Sequence, residues 1–267
     1  MRCAVVGDPI RHSLSPVLHR AAYAATGLDW SYEAVRVPSG GLADHVAGLD
    51  DGWRGLSVTM PLKREALDLA GEVSEHARAA GAANTLVRGE DGWLADNTDL
   101  PGAAAALRER YGGPVRTVTV LGGGATAASV ALALCDLGAR QVRLLVRSPD
   151  RAAGSAEVIR RHPVAPRVAV TPLTGPVAGE VVVSTIPAEA QDPDLVRRCA
   201  DVPVVFEVRY DPWPTPLAAA AAGRVLVSGL DLLVHQAALQ HTLFTGGSAP
   251  LAEMRAAGEA ALGGAGR

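Results

Sequence analysis

The sequence predicts an α/β protein made of two open sheets, each covered by helices on both faces. Three observations carry that expectation. Short apolar, β-branched runs alternate along the chain with amphipathic or Ala-rich stretches of roughly ten to fifteen residues, the order that parallel sheets require. A glycine cluster at 122–124 follows one strand and opens a helix. Between the two series of elements, Gly112, Gly113 and Pro114 break the helical pattern in RYGGPVR.

In order, the strand-like runs are CAVVG (3–7), WSYEAVRV (30–37), GLSV (55–58), ANTLV (83–87), VTVLG (118–122), VRLLV (142–146), VVVST (181–185), VPVVFEV (202–208) and VLVSG (225–229). Helical stretches are read at 16–26, 41–48, 63–69, 99–110, 125–137, 151–161, 216–222, 230–243 and 249–262. The helix at 99–110 carries the chain out of the first domain, and a new strand, glycine and helix unit starts after the break. Ligands of open α/β sheets bind beyond the carboxyl ends of the strands, so chemistry is expected where two such domains face each other.

Composition narrows the role. With 48% apolar and 20% charged residues in 267, the chain can bury sizeable cores, and its net charge of −3 gives no reason to expect a polyanionic partner. No basic run interleaved with aromatics points to nucleic acid. No apolar stretch approaches the ~18 residues of a spanning helix, and MRCAVVGDPIRHS turns polar too early for a secretory signal. Cys3, Cys135 and Cys199 are isolated in apolar or helical surroundings, which suits buried thiols in a reducing, cytoplasmic setting. The histidines form no HExxH-like set, so no metal is expected.

The polar residues of the first half cluster at strand ends. In GLSVTMPLKREA, Met60-Pro61-Leu62 ends a buried strand and Pro61 stiffens the approach to Lys63, which reads as a solvated cap or as an amine held over a pocket. In GDPIRHSLSP, Ser13 and Ser15 are two apart; in an extended segment both hydroxyls would face one side and could hold a carboxylate. Asn84-Thr85 opens another strand, and Asp96-Asn97-Thr98-Asp99 precedes a helix, with Thr98 or Asp99 as its cap. A carboxylate at a helix start stays ionised and can orient a hydroxyl or a lysine.

In the second half, Gly122-Gly123-Gly124-Ala125-Thr126-Ala127 has the spacing G-x-G-x-x-A between strand and helix. Gly122 permits the tight turn, Gly124 the approach of a pyrophosphate, and Ala127 close packing of helix on sheet, with the phosphates at the helix N-terminus. The next strand ends in Arg147-Ser148 where a dinucleotide site for NAD would place an acid; a guanidinium and a hydroxyl there suit the 2′-phosphate of NADP. Asp150 reads as a helix cap. The small, proline-stiffened turn after VVVST leaves room for a flat ring.

Together these segments resemble the shikimate dehydrogenase family. GDPIRHSLSPVLH, GLSVTMPLK, GAANTL, DNTD, LGGGATA with VRS, YDPWPTPL and GLDLLVHQAALQ match its motifs in order over almost the whole chain. The resemblance implies a substrate domain (1–101), a Rossmann-like NADP domain (102–236) and C-terminal helices (237–267) that return to the first domain. It implies Lys63 and Asp99 as the catalytic pair, and Ser13, Ser15, Thr59, Asn84, Tyr210 and Gln236 around the substrate. Gly122, Gly123, Gly124, Ala125, Ala127, Arg147, Ser148 and Gly229 would hold NADP. Ser57 stands where the family commonly has Asn, Val146 where it often has Asn, Glu207 where Asp is common, and Leu232 where Met is frequent. His241 and Phe244 replace Phe and Trp; with Glu207 and Leu232 they read as packing variants.

The implied activity is reversible, NADPH-dependent reduction of the C3 ketone of 3-dehydroshikimate, with Lys63 meeting the charge that develops on oxygen. A quinate or aminoshikimate dehydrogenase using either nicotinamide cofactor, and a dinucleotide-binding regulator without turnover, are the alternatives. The small-molecule substrate is the expected partner, in a monomer or homodimer without nucleic acid or membrane.

Overall fold

The computed structural model describes residues 1–264 and divides into two compact units, one formed by residues 1–98 with the chain from Leu233 onward, the other by Asp99–Leu232. Of the expected C-terminal segment 237–267, residues 265–267 lie outside the described residues.

The first unit contains β1 (Arg2–Gly7), α1 (Ser15–Ala25), β2 (Ser31–Arg36), α2 (Leu42–Ala47), β3 (Trp53–Val58), α3 (Lys63–Leu69), β4 (Glu72–Val73), α4 (Glu75–Ala80), β5 (Thr85–Gly89) and β6 (Gly92–Asp96). Its sheet runs β2-β1-β3-β5-β6-β4. The run CAVV forms β1, buried on both faces: Ala4 and Val6 pack with Leu56, Val58, Leu62 and Leu86, whereas Cys3 and Val5 pack with Tyr23, Tyr32, Val87 and Phe244. Two-sided burial explains why this strand reads as a continuous apolar run rather than an alternation.

The expectation of wholly parallel sheets fails here. Strand β5 is antiparallel to both β3 and β6. The physical reason is the connection: Gly89 pairs with Gly92, leaving a two-residue loop, and so short a link can only join antiparallel strands. Gly92 supplies the positive φ, +130°, that this turn needs. Three elements went unread in the sequence, β4, α4 and β6, because each is too short or too exposed to show a period. Helix α4 has only its caps: Ser74 Oγ accepts from Ala77 N–H at 3.1 Å, and Gly81 ends the helix in the left-handed region.

The second unit contains α5 (Asp99–Arg110), β7 (Thr117–Leu121), α6 (Ala125–Asp136), β8 (Gln141–Val146), α7 (Pro149–Arg160), β9 (Arg167–Pro172), β10 (Val181–Ser184), α8 (Pro193–Arg198), β11 (Val204–Glu207), α9 (Pro216–Ala219) and β12 (Val225–Val227). All its strand pairs are parallel, in the order β12-β11-β10-β7-β8-β9. This is the doubly wound Rossmann order, which reverses between β7 and β10. Strand β9 went unread because it is a partly exposed edge, and α8 because it has six residues and a single signal, Asp192 capping Leu195 N–H at 2.8 Å.

Helix α10 (Gly229–Thr245) begins in the second unit and continues into the first. Its start is locked by a reciprocal cap, Ser228 N–H to Asp231 Oδ2 at 2.9 Å and Asp231 N–H to Ser228 Oγ at 3.1 Å. Arg110, at the end of α5, adds an ion pair to the buried Asp231 at 2.8 Å. The last helix, α11 (Leu251–Gly264), packs on α1, so the C-terminal helices do return to the first unit.

Phe244 of α10 lies against Gly55 in β3, where an added Cβ would overlap its ring and crowd Leu86 O at 3.1 Å. Because Phe244 is fully buried, the ring has nowhere to move. Gly55→Ala is therefore expected to cost about 1–3 kcal/mol by overpacking, read as a lower urea midpoint; Gly71→Ala, with nothing within 4 Å of the new methyl, serves as the neutral comparison.

Candidate functional site

In the first unit the polar residues singled out from sequence converge on the carboxyl edge of β1 and β3. Since β5 runs antiparallel to β3, its first residue, Thr85, lies opposite Ser57 and also pairs with Asp96 at the end of β6. Residues 59–63, 84 and 97–98 therefore leave the sheet at the same edge. Gly7, at the end of β1, allows close approach: a Cβ there would overlap Thr59 Cγ2, with Met60 O at 2.8 Å. Asp8 N–H donates to Met60 O at 2.9 Å, fastening the loop that carries Ser13 to the segment that carries Thr59.

Ser13 and Ser15 do not form an extended pair. Leu14 between them is helical, with φ −84° and ψ −4°, and Ser15 is the first residue of α1. Alternation does not apply here: Ser15 N–H donates to Ser13 Oγ at 3.3 Å, so a local turn folds the Ser13 hydroxyl onto the backbone at the start of α1.

Asn84 is the centre of the set. Its Oδ1 accepts from Thr98 N–H and from Thr85 Oγ1, both at 2.8 Å. Its Nδ2 donates to Thr98 Oγ1 at 2.9 Å and to Gln236 Oε1 at 3.2 Å. Gln236 in turn donates to Leu233 O at 2.9 Å. On the preceding residue, Ala83 N–H donates to Lys63 O at 2.8 Å. Lys63 opens α3 and is half-buried; Asp99, the residue after Thr98, opens α5 and is buried. Of the remaining DNTD residues, Asn97 donates to Ala82 O at 2.8 Å, and Asp96 accepts from Ser74 and from Asn97 N–H.

Sequence reading missed Gln240, one helical turn beyond Gln236. Its Nε2 donates to Asn84 O and Thr85 Oγ1, each at 3.0 Å, and its Oε1 accepts from Ser57 Oγ at 2.7 Å. Ser57 accepts in turn from Tyr32 OH at 2.5 Å. The i, i+4 spacing of the two glutamines, which puts both on one helix face, was the available signal.

In the second unit the site elements meet where the strand order reverses. Gly122 follows β7 with φ +117°, and a Cβ there would overlap Thr185 Oγ1 beyond β10. Thr185 donates to Leu121 O from both its N–H and its hydroxyl, at 3.0 Å each. Gly123 lies against Ala152 of α7 and Val146 of β8, which makes it a packing glycine. Gly124 caps α6, and nothing lies within 4 Å of where its Cβ would be. That open space at the N-terminus of a twelve-residue helix fits a dinucleotide phosphate. Ala125 begins α6 and Ala127 is buried in it. Ser155 of α7, another residue the sequence did not flag, donates to Gly123 O at 2.8 Å and fixes the loop.

Arg147 is exposed just beyond β8. Ser148, not Asp150, occupies the N-cap of α7, and its side chain makes no capping bond; Asp150 sits exposed in the first turn. Gly229 faces the backbone of Val208 and Arg209 too closely for any side chain, and Tyr210, half-buried, follows that segment. Glu207 is no mere packing variant. Fully buried, its carboxylate accepts from Gln191 Nε2 at 2.7 Å, Thr215 Oγ1 at 2.8 Å and Arg209 N–H at 3.0 Å, which ties together the segments after β10 and β11. Burial pushes its carboxyl above the usual range, against the opposing effect of these donors.

Known proteins match the chain in sequence and in fold. Residues 5–86 match the family described as "Shikimate dehydrogenase substrate binding domain", and residues 229–257 match "Shikimate 5'-dehydrogenase C-terminal domain". A shikimate dehydrogenase (NADP(+)) of Methylobacterium radiotolerans is 39% identical over 251 residues, covering 88% of each chain. The chain belongs to the shikimate dehydrogenase family. The crystal structure of the Mycobacterium tuberculosis shikimate dehydrogenase superposes with a TM-score of 0.87 at 42% identity, over 97% of this chain and 99% of that one. That of the Thermus thermophilus shikimate 5-dehydrogenase, solved with NADP(H) and shikimate, gives 0.86 at 30% identity over 98% and 99%. Among the described residues, no helix is long and apolar enough to cross a membrane, and no cluster of His, Cys, Asp and Glu could hold a metal.

Two histidines lie buried behind the site. His19 is fully buried, stacked on Tyr32 with ring centroids 4.2 Å apart, and its Nε2 faces Gln240 Oε1 at 3.4 Å. Burial lowers its pKa to about 3, against the opposing effect of the Gln240 contact and with a smaller contribution from the nearby His241, whose own pKa burial also lowers. A neutral buried histidine contributes stability above its unfolded pKa, near 6.5. That contribution is lost as pH falls from there toward about 3. Urea unfolding at pH 7.5 and 5.5 is expected to show His19 contributing a loss of about 1.4 kcal/mol per pH unit below 6.5. His19→Phe, which keeps the stacking, should remove that part of the slope.

Proposed function

We propose that this protein catalyses the reversible NADPH-dependent reduction of 3-dehydroshikimate to shikimate, in the cytoplasm, as a step of aromatic amino acid biosynthesis. Family membership supports the reaction, and one local observation supports the residue roles. Lys63 is bonded through its carbonyl to Ala83, next to Asn84; Thr98 is bonded to the Asn84 side chain, next to Asp99. Each member of the catalytic pair is thus anchored one residue from the same carboxamide.

Ser13 and Ser15 bind the substrate carboxylate, aided by the start of α1, and Tyr210 lies toward that end. Thr59, Asn84 and Gln236 hold the ring hydroxyls. The contact of Asn84 Nδ2 with Gln236 Oε1, at 3.2 Å, is longer than the 2.9 Å bond from the same nitrogen to Thr98. A substrate hydroxyl inserted there accepts from Asn84 and donates to Gln236, so no buried group loses its partner. NADPH, when bound, supplies a hydride to the C3 ketone. Lys63 donates the proton that the developing alkoxide takes up, and Asp99 orients the ammonium and the reacting oxygen. Gly122, Gly123 and Gly124 shape the phosphate loop, Ala125 and Ala127 continue it into α6, and Gly229 leaves room beside the 208–209 backbone. Arg147 and Ser148 favour NADP over NAD through the 2′-phosphate.

The direct test is spectrophotometric, with shikimate and quinate each offered NADP+ and NAD+. Shikimate with NADP+ is expected to give the highest kcat/KM; quinate with NAD+ as the best pair would refute the assignment. Lys63→Ala should fold normally and lose about a hundredfold or more in kcat. Ser13→Ala should chiefly raise the shikimate KM, by about tenfold. Arg147→Ala should lower kcat/KM for NADP+ by about tenfold or more while sparing NAD+.

A further inference from the structure

The hydrogen bonds around Gln240 admit only one polarity. Asn84 O is a backbone carbonyl, so the Gln240 atom facing it at 3.0 Å is the amide nitrogen. The other atom, Oε1, can only accept, and Ser57 must therefore donate to it. With its single proton committed, Ser57 can only accept from Tyr32, whose hydroxyl consequently donates. On the other branch, Gln240 Nε2 donates to Thr85 Oγ1, which directs the Thr85 proton onto Asn84 Oδ1. That acceptor role, shared with Thr98 N–H, leaves Asn84 Nδ2 aimed at Gln236. Every member from Ser57 to Asn84 is at least nine-tenths buried, so water cannot scramble the order.

We propose that Ser57 and Gln240 are positioning residues for substrate recognition, acting in series to fix the Asn84 carboxamide with its amide toward the ring hydroxyl. The inference rests on the reading of Asn84 as a substrate contact. The hydroxyl of Ser57 is engaged on both sides and has no proton left for a ligand. An asparagine at this position could reach substrate itself; serine here acts through Gln240 instead. Two residues in series have a signature that two independent contacts lack, because removing either breaks the same relay.

The experiment is a double-mutant cycle of Ser57→Ala and Gln240→Leu, read as separate KM values for shikimate and NADP+, kcat, and Tm. Each single substitution is expected to raise the shikimate KM about five- to tenfold, with the NADP+ KM within about twofold of the parent value. The double variant should be no worse than Gln240→Leu alone. Multiplying effects would mean that Ser57 touches substrate directly, and lowered Tm with an unchanged shikimate KM would reduce the relay to a structural role; either result overturns the proposal. Should Gln240→Leu fail to fold, Ser57→Ala against Ser57→Thr decides: the threonine, which keeps the hydroxyl, must restore the parent KM. Parent enzyme that turns over NADP+ with shikimate but is insensitive to these changes defeats this inference alone, whereas parent enzyme inert toward shikimate defeats the function and the inference together.

Discussion

A single buried carboxamide organises the first unit. Asn84 has two acceptor and two donor positions, and the fold fills all four. Its partners come from the start of β5, from Thr98 at the exit of β6 and from α10, segments far apart in sequence. An amide half satisfied at such a buried position would cost more than it contributes, so the segments either meet correctly or do not meet. The antiparallel placement of β5 is what makes this possible. It turns Asn84 toward the edge where β1 and β3 end, and a parallel β5 would have carried it to the opposite edge.

The second unit solves a different problem, the approach of a large anion to backbone. At the reversal between β7 and β10, Gly122 has no room for a side chain because Thr185 occupies it, and Gly124 has room that nothing fills. Those two glycines look alike in sequence and differ in surroundings: a side chain is excluded by packing at the first and meets nothing within 4 Å at the second. Gly123, between them, owes its identity to Ala152 and Val146. Ser155 and Glu207 then tie the loops together through buried hydrogen bonds.

Much of this was legible from residues alone. VTVL, VRLLV and VVVS read as strands because parallel strands covered on both faces are apolar throughout, and the glycine spacing marked the turn that follows. Ser13, Ser15, Lys63, Asn84 and Asp99 stood out as candidates because polar residues at the ends of apolar runs need a reason, and of these the structure shows Asn84 bonded to Thr85, Thr98 and Gln236. The β5–β6 hairpin was not, since GWLAD is half exposed and its turn, Glu90-Asp91, lacks a strong signature. Gln240 was hidden for another reason. Gln240 closes the GLDLLVHQAALQ segment without a role that the sequence assigns, and only the three-dimensional meeting of α10 with β3 and β5 gives its two amide atoms opposite tasks. The same holds for Glu207, whose substitution looked conservative until its donors were seen.

In the proposed mechanism Asn84 either binds substrate alone or also positions, through Thr98, the segment that leads into Asp99. Steady-state kinetics of Asn84→Ala with shikimate and NADP+ separate the two directly. If the carboxamide, through Thr98, positions the segment that leads into Asp99, kcat falls as the shikimate KM rises, with the NADP+ KM unchanged. A raised KM at undiminished kcat would contradict it, leaving Asn84 a binding group only.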